Sequence, residues 1–331
     1  MNNKYILSIC IPTYNYGQYI SDTLNSIIDQ IDDDIEIIIG DSASTDNTES
    51  IVQNFIKKNS NIKYYNFQRK SGIDIDLSKT VDKANGKYCW LLSSDDIPVK
   101  NAVFEILKSI KENPNVIITN RIICDKFMSP IKENASWTNK KIEECFFDFN
   151  DPLSLTNYLK SLTSIGGLFS YMSVLIFKRE DWLTVDSEKK YLFNCYAHAY
   201  NLFKILKLKN SKLKYLPKQL VLFRGFNDSF ASDGYISRIL IDFKGYKLLQ
   251  ESLFTNSATK ELFLKVMKKE HPWYYLIRVR QEIKNESEWK TIKQHLRHFN
   301  YSKYEINMLY ILGSSASITN LLRKFKKIFK I

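Results

Sequence analysis

Two hydrophobic rhythms alternate through the first 125 residues. Near-continuous apolar runs occur at YILSICIP (5–12), IEIIIGD (35–41), IKYYNF (62–67) and KYCWLLSS (87–94). Runs this short and this uniformly apolar predict strands buried on both faces. Between them, apolar positions recur every three or four residues. In GQYISDTLNSIIDQI (17–31) the positions Tyr19, Ile20, Leu24, Ile27, Ile28 and Ile31 form one stripe, the mark of an amphipathic helix. STDNTESIVQNFIKK (44–58) predicts a second helix, capped by Ser44 or Thr45 with acids in its first turn. LSKTVDKAN (77–85) predicts a third, closed by Gly86, and VKNAVFEILKSIKEN (99–113) a fourth. Strands and helices in strict alternation, with strands apolar throughout, imply an α/β fold around a mostly parallel sheet.

Further along, GGLFSYMSVLIFKRE (166–180) reads as a loop and strand, NCYAHAYNLFKILKL (194–208) as a helix, and KYLPKQLVLFRG (214–225) as a late strand. From about residue 235 the pattern is helical, which divides the chain into an α/β domain over 1–235 and a helical region over 236–331. Charge sharpens that division. The net +12 is made of +16 over residues 204–331 and −4 over 1–203. In the final stretch, ITNLLRKFKKIFKI, one face carries Ile318, Leu321, Leu322, Phe325, Ile328 and Phe329. The other carries Arg323, Lys324, Lys326, Lys327 and Lys330. This is the pattern of a helix lying on an anionic membrane surface. No window reaches the roughly 18 to 20 apolar residues of a spanning helix, and Pro12 interrupts the first apolar run before it makes a signal peptide. Five scattered cysteines, an odd number without metal-ligand spacing, fit reduced thiols. The expected location is the cytoplasm, peripheral on the inner face of the cell membrane.

In parallel sheets, ligands sit beyond the carboxyl ends of the strands, and there polar residues recur. Thr13, Tyr14 and Asn15 follow the first strand, Asp41 and Ser42 the second, Arg69 and Gly72 the third, and Asp95 and Asp96 the fourth. Two adjacent carboxylates suit a hard divalent cation, Mn2+ or Mg2+, which typically bridges diphosphate oxygens. No Walker loop or G-x-G-x-x-G follows the first strand, which disfavours P-loop NTPases and dinucleotide dehydrogenases. The basic C-terminal third carries no recognised nucleic-acid motif, so no nucleic-acid partner is expected.

The segments SICIPTYNYGQYISDTLNSI, IEIIIGDSASTDNT and ANGKYCWLLSSDD, at this spacing, resemble the inverting nucleotide-sugar glycosyltransferases of family two, with the GT-A fold. The likeness covers residues 5–125 well and 160–230 loosely. It implies a metal-dependent transfer of a sugar from a nucleotide-diphosphate donor to a hydroxyl of a glycan acceptor, one held on a lipid. By the same likeness Asp41 contacts the nucleobase, Asp95 the ribose or metal, and Asp96 the metal under the diphosphate, with Thr13 and Asn15 lining the nucleotide pocket. Ser42 and Ser93 stand where the family usually has acids, and GIDIDLSKTV lacks its usual Arg-Asn pair. Without the first acid, a catalytically inactive nucleotide-binding scaffold is the competing reading. The SSDD form, with Asp74 and Asp76 upstream, is similar to bacterial abequosyltransferase-type enzymes, which add dideoxy sugars to O-antigen units.

An inverting transfer needs a group to take the acceptor proton. The family places an acid at the start of a helix after the acceptor loop, and His198 stands there, with Asp181 in KREDW as the reserve. Arg224, ending a strand before GFNDSFASDG, is positioned by sequence either to clamp the diphosphate or to serve as a structural ion-pair partner.

Overall fold

The four apolar runs are β1 (Tyr5–Thr13), β2 (Ile35–Asp41), β3 (Ile62–Asn66) and β4 (Gly86–Leu91), with α1 (Gly17–Ile28), α2 (Thr48–Ile56) and α3 (Ile73–Asp82) between them. Then follow β5 (Ile97–Pro98), α4 (Ala102–Ile110), β6 (Val116–Cys124), β7 (Pro130–Ala135), β8 (Cys145–Phe147), α5 (Pro152–Ser161), β9 (Leu175–Lys178), α6 (Arg179–Thr184), α7 (Ala197–Leu206) and β10 (Leu213–Arg224). The structure, a computed structural model, describes residues 4–139, 142–185, 189–227, 230 and 234–314. The chain divides into two compact units, 1–227 and 228–331. The basic stretch 318–331 lies outside the described residues.

One sheet runs in the order β3-β2-β1-β4-β9-β6-β10-β5, with β7 beside β6 and β8 beside β10. Strands β3, β2, β1 and β4 are mutually parallel, as are β6 and β10. Strand β9 is inserted between β4 and β6 and runs antiparallel to both. The sheet is therefore mixed beyond its parallel half. A fully buried four-residue strand such as LIFK has no polar face, so its sequence pattern does not disclose its direction.

Helix α1 buries Ile20, Leu24 and Ile27 against the sheet, the i, i+4, i+7 positions of the predicted stripe. Each such side chain contributes roughly 1.5–3 kcal/mol on burial. Glu36 interrupts the apolar run of β2 yet is fully buried. It accepts hydrogen bonds from Ser8 Oγ (2.7 Å) and Asn85 N (2.5 Å) and pairs with Lys63 (2.5 Å). Two local expectations are corrected. Gly86 opens β4 and does not close α3. Helix α2 begins at Thr48, its N-cap Asn47 makes no side-chain cap bond, and neither Ser44 nor Thr45 caps it, because both are engaged by Asn15.

In the C-terminal unit, α8 (Gly234–Leu253), α9 (Ser257–Glu270), α10 (Trp273–Glu282), α11 (Glu286–His298) and α12 (Lys303–Gly313) enclose an aromatic core that includes Phe243, Tyr246, Phe263, Trp289 and Phe299.

Candidate active site

The carboxyl ends of the parallel strands gather the predicted polar residues along one edge. Thr13, Asp41 and Asn66 stand level across β1, β2 and β3. Asp41 is fully buried, accepting from Ser44 N (2.8 Å) on Oδ1 and from Tyr64 Oη (2.6 Å) on Oδ2. Burial, reinforced by that bond, raises the Tyr64 phenol far above its ordinary pKa, so it stays a donor. Ser42 N donates to Thr13 O (2.9 Å), while the buried Thr13 Oγ1 has no partner among the described residues.

The loops after β1 and β2 are laced together. Asn15, at φ 55°, donates its N–H to Ser44 Oγ (2.8 Å) and accepts from Thr45 N (2.7 Å), while Gly17 N donates to Asp46 Oδ2 (3.0 Å). A Cβ on Gly17 would lie 2.0 Å from Asn47 Oδ1, so only glycine permits this approach. At the same corner Lys70 Nζ sits 3.9 Å above the Tyr14 ring. Arg69 is exposed beside Lys70. Gly72 takes φ 96° as the residue preceding α3, a backbone state that favours glycine.

The acid pair forms the second corner. Asp95 accepts from Ser93 Oγ at short range on Oδ1 and from Asn227 Nδ2 (2.6 Å) on Oδ2. Asp96 is buried more deeply. Its Oδ2 accepts from Tyr171 Oη and from Ser173 Oγ (2.6 Å), its Oδ1 from Arg224 N (3.1 Å), and its carbonyl from Thr23 Oγ1 (2.8 Å). Burial, then the charge of Asp95, pushes the Asp96 carboxyl up to about 7. Arg224 is buried too. Nε donates to Asp95 O (3.0 Å), Nη1 to Lys126 O (3.0 Å) and Nη2 to Asp22 (3.3 Å), with the guanidinium 4.6 Å over the Tyr19 ring.

Arg224 is a strut beneath the acid pair, with Nε, Nη1 and Nη2 each donating to a protein oxygen. Asp96, like Asp95, is bonded to protein donors through both oxygens, and it is the more deeply buried of the two. Among the described residues no group of three His, Cys, Asp or Glu side chains could hold a metal ion. One carboxylate with neighbouring hydroxyl oxygen still fits a hard divalent cation, since Mg2+-type sites take one or two carboxylates and fill the remainder with phosphate oxygens and water.

The two base candidates separate. His198 is the second residue of α7 and is buried. Its Nε2 lies 2.9 Å from Phe169 O, which can only accept, so Nε2 carries the proton and Nδ1 presents a lone pair. That Nδ1 has no hydrogen-bond partner among the described residues. Burial lowers the pKa of His198, opposed by the charge of Asp74. Asp74 itself holds the start of α7, accepting from Asn194 N (3.0 Å), Cys195 N (2.9 Å) and Ala197 N (3.1 Å). Asp181 lies elsewhere. Because β9 runs antiparallel, its last residue Lys178 pairs with Tyr88 near the start of β4. Asp181 follows at that opposite edge of the sheet, bonded to Asn115 (2.8 Å) just ahead of β6, and its carboxyl is pushed up by burial. The structure does not bring it to the site.

Several participants escaped the sequence reading: Tyr64 under Asp41, Tyr171 and Ser173 under Asp96, Asn227 on Asp95, and Asp74 at α7. Arg121, 3.9 Å over the Trp137 ring and 5.0 Å over Tyr171, joins this second layer. Each acts on a residue distant in sequence, and no local motif marks them.

Comparison with known proteins adds four likenesses. The family model described as glycosyl transferase family 2 matches residues 8–163. Abequosyltransferase RfbV from Salmonella typhimurium is 33% identical, spanning 98% of this chain and 100% of that protein. Among solved structures, S. aureus TarS 1–349 in complex with UDP-GlcNAc superposes with a TM-score of 0.63 at 16% identity, covering 93% of this chain and 90% of TarS 1–349. The mannosyltransferase PcManGT from Pyrobaculum calidifontis, in complex with GDP-Man and Mn2+, superposes with a TM-score of 0.55 at 13% identity, covering 96% and 88%.

Proposed function

Since the chain belongs to glycosyltransferase family 2 and has its GT-A fold, we propose that it is a metal-dependent inverting enzyme. On this reading it moves a hexosyl or deoxyhexosyl group from a nucleotide-diphosphate donor to a hydroxyl of a lipid-linked surface glycan. The observation that carries this is the meeting of Asp41 and the Asp95–Asp96 pair at one sheet edge, beside the Thr13 hydroxyl, which has no partner among the described residues. The full-length likeness to an abequosyltransferase supports a deoxy sugar and surface-glycan synthesis.

Asp41, fixed by Ser44 and Tyr64, is directed at the nucleobase, and Thr13, Tyr14, Asn15 and Ser42 surround the nucleoside. Arg69 and Gly72 close that corner. Asp95 would hold Mn2+ or Mg2+, which when bound offsets the charge growing on the leaving diphosphate. Asp96 and Arg224 position Asp95 from behind. The acceptor oxygen attacks the anomeric carbon on the face opposite the diphosphate. The carbon–oxygen bond to the diphosphate breaks with inversion, and the acceptor proton passes to His198 Nδ1, the unpaired nitrogen.

The burial of His198 favours a second reading, in which it is a post that fixes Phe169 through Nε2 and takes no proton. The C-terminal pattern of 318–331 supports attachment to an anionic membrane surface. No helix among the described residues is long and apolar enough to cross a membrane.

The test is calorimetric. Asp95→Ala should abolish the metal-dependent part of nucleotide-sugar binding, and Asp41→Ala should weaken nucleoside-diphosphate binding even without metal. Unchanged affinity in both folded variants would overturn the site.

A further inference from the structure

The C-terminal unit holds a cavity of its own, about 460 Å³, where the starts of α8 and α10 meet the end of α9. That volume falls within the roughly 300–1,000 Å³ of small-molecule sites. Its floor is polar and built. Asp242, buried on α8, accepts from Arg238 at short range and from His271 Nε2 (3.1 Å). His271 Nδ1 donates to Met267 O (3.0 Å). Burial alone would lower the pKa of His271, but the bond to Asp242 and its charge outweigh this and raise it.

Its wall is aromatic. Tyr235 and Tyr275 meet edge to face (5.5 Å, 78°), and Tyr235 Oη accepts from Arg278 (2.6 Å). Tyr274 beside them is 53% exposed.

The charges favour a neutral ligand. The cations Arg238 and His271 face Asp242, with Glu270 at the rim. A free anion would meet two carboxylates, and a free cation two bases. A pyranose suits what remains: its C–H faces pack on aromatic rings, while its vicinal hydroxyls match the forked geometry of carboxylate and guanidinium. We propose that this cavity binds a short neutral saccharide. The further identification of that saccharide as part of the glycan acceptor rests on the proposed transfer reaction; the binding site itself does not.

The experiment uses the full chain and saturation-transfer NMR. Methyl glycosides of glucose, galactose, mannose, rhamnose and N-acetylglucosamine serve as probes, each measured alone, with excess UDP or GDP, and with inorganic phosphate. At least one glycoside should receive saturation at its ring protons, and neither nucleotide nor phosphate should remove it. Tyr274→Ala should weaken that glycoside at least tenfold and Tyr274→Phe should not, with nucleotide affinity unchanged in both. No signal from any glycoside would overturn the proposal. So would displacement by phosphate, displacement by nucleotide, or a signal indifferent to Tyr274→Ala. Failure of nucleotide binding would count against the donor site instead, leaving the glycoside result standing.

Discussion

Replacing Asp96 by Asn tests the acid pair through stability rather than activity. The folded protein holds the Asp96 carboxyl at about 7, through burial and then the neighbouring Asp95 charge, whereas an unfolded chain titrates at about 3.9. Between those values the folded state binds the extra proton, so stability is full at low pH and falls as pH rises toward 7. The linkage slope is about 1.4 kcal/mol per pH unit for one proton, roughly 3 kcal/mol between pH 5 and 7. Donation from Tyr171, Ser173 and the Arg224 backbone favours the ionised form and keeps the carboxyl from rising further. The substituted amide cannot titrate, and its oxygen keeps an acceptor for the Arg224 N–H. The stability of Asp96→Asn relative to the native chain should therefore climb from pH 5 to 7 and then level off. Urea unfolding without metal, followed by tryptophan fluorescence, measures it. Trp90 is a suitable reporter, because its Nε1 donates to Ser173 O (2.8 Å) beside the Asp96 carboxylate. Parallel stability curves for the two proteins across pH 5–8 would show that Asp96 ionises normally and refute the reasoning.

If His198 is the base, His198→Ala should slow transfer by about 10² to 10⁴ at near-normal donor affinity. Native activity should then persist somewhat below pH 6.5 before falling, since burial lowers the pKa and the neutral imidazole is the active form. A folded variant with normal turnover assigns His198 to holding Phe169. Arg224→Met should destabilise the fold by about 1–3 kcal/mol, because it strands the buried carbonyl of Asp95 and removes the donor to Lys126 O and Asp22. A chemical denaturation curve coinciding with the native one would contradict the strut role. Deleting 315–331 should release the protein from anionic liposomes at low salt while leaving transfer to a short soluble acceptor nearly intact. Full-length protein that fails to sediment with such liposomes would remove the membrane reading.

Elements whose cause lies within a few residues were legible in the chain. The uniform apolarity of β1, β2 and β4 and the stripe of α1 follow from spacing, because burial on both faces or on one stripe acts on neighbours. The positions of Asp41, Asp95 and Asp96 at strand ends follow from where those apolar runs stop. Caps were less legible. Ser44 and Thr45 have the chemistry to cap α2, yet Asn15, some thirty residues earlier, competes for both.

The sequence by itself thus determined the parallel half of the sheet and the edge at which the chemistry gathers, since hydrophobic periodicity and strand length are local properties. The tertiary structure alone decided how each acid of the pair is held. Asp95 and Asp96 are adjacent and chemically identical, and their partners distinguish them: Ser93 and Asn227 hold Asp95, while Tyr171, Ser173 and Arg224 hold Asp96. It decided equally that Asp181 lies at the far edge while His198 lies at the start of α7, held by Asp74 from 120 or more residues away. A buried strand reads the same in either direction, so the reversal of β9, and with it the side of the sheet on which Asp181 emerges, is set by long-range packing that no stretch of sequence contains.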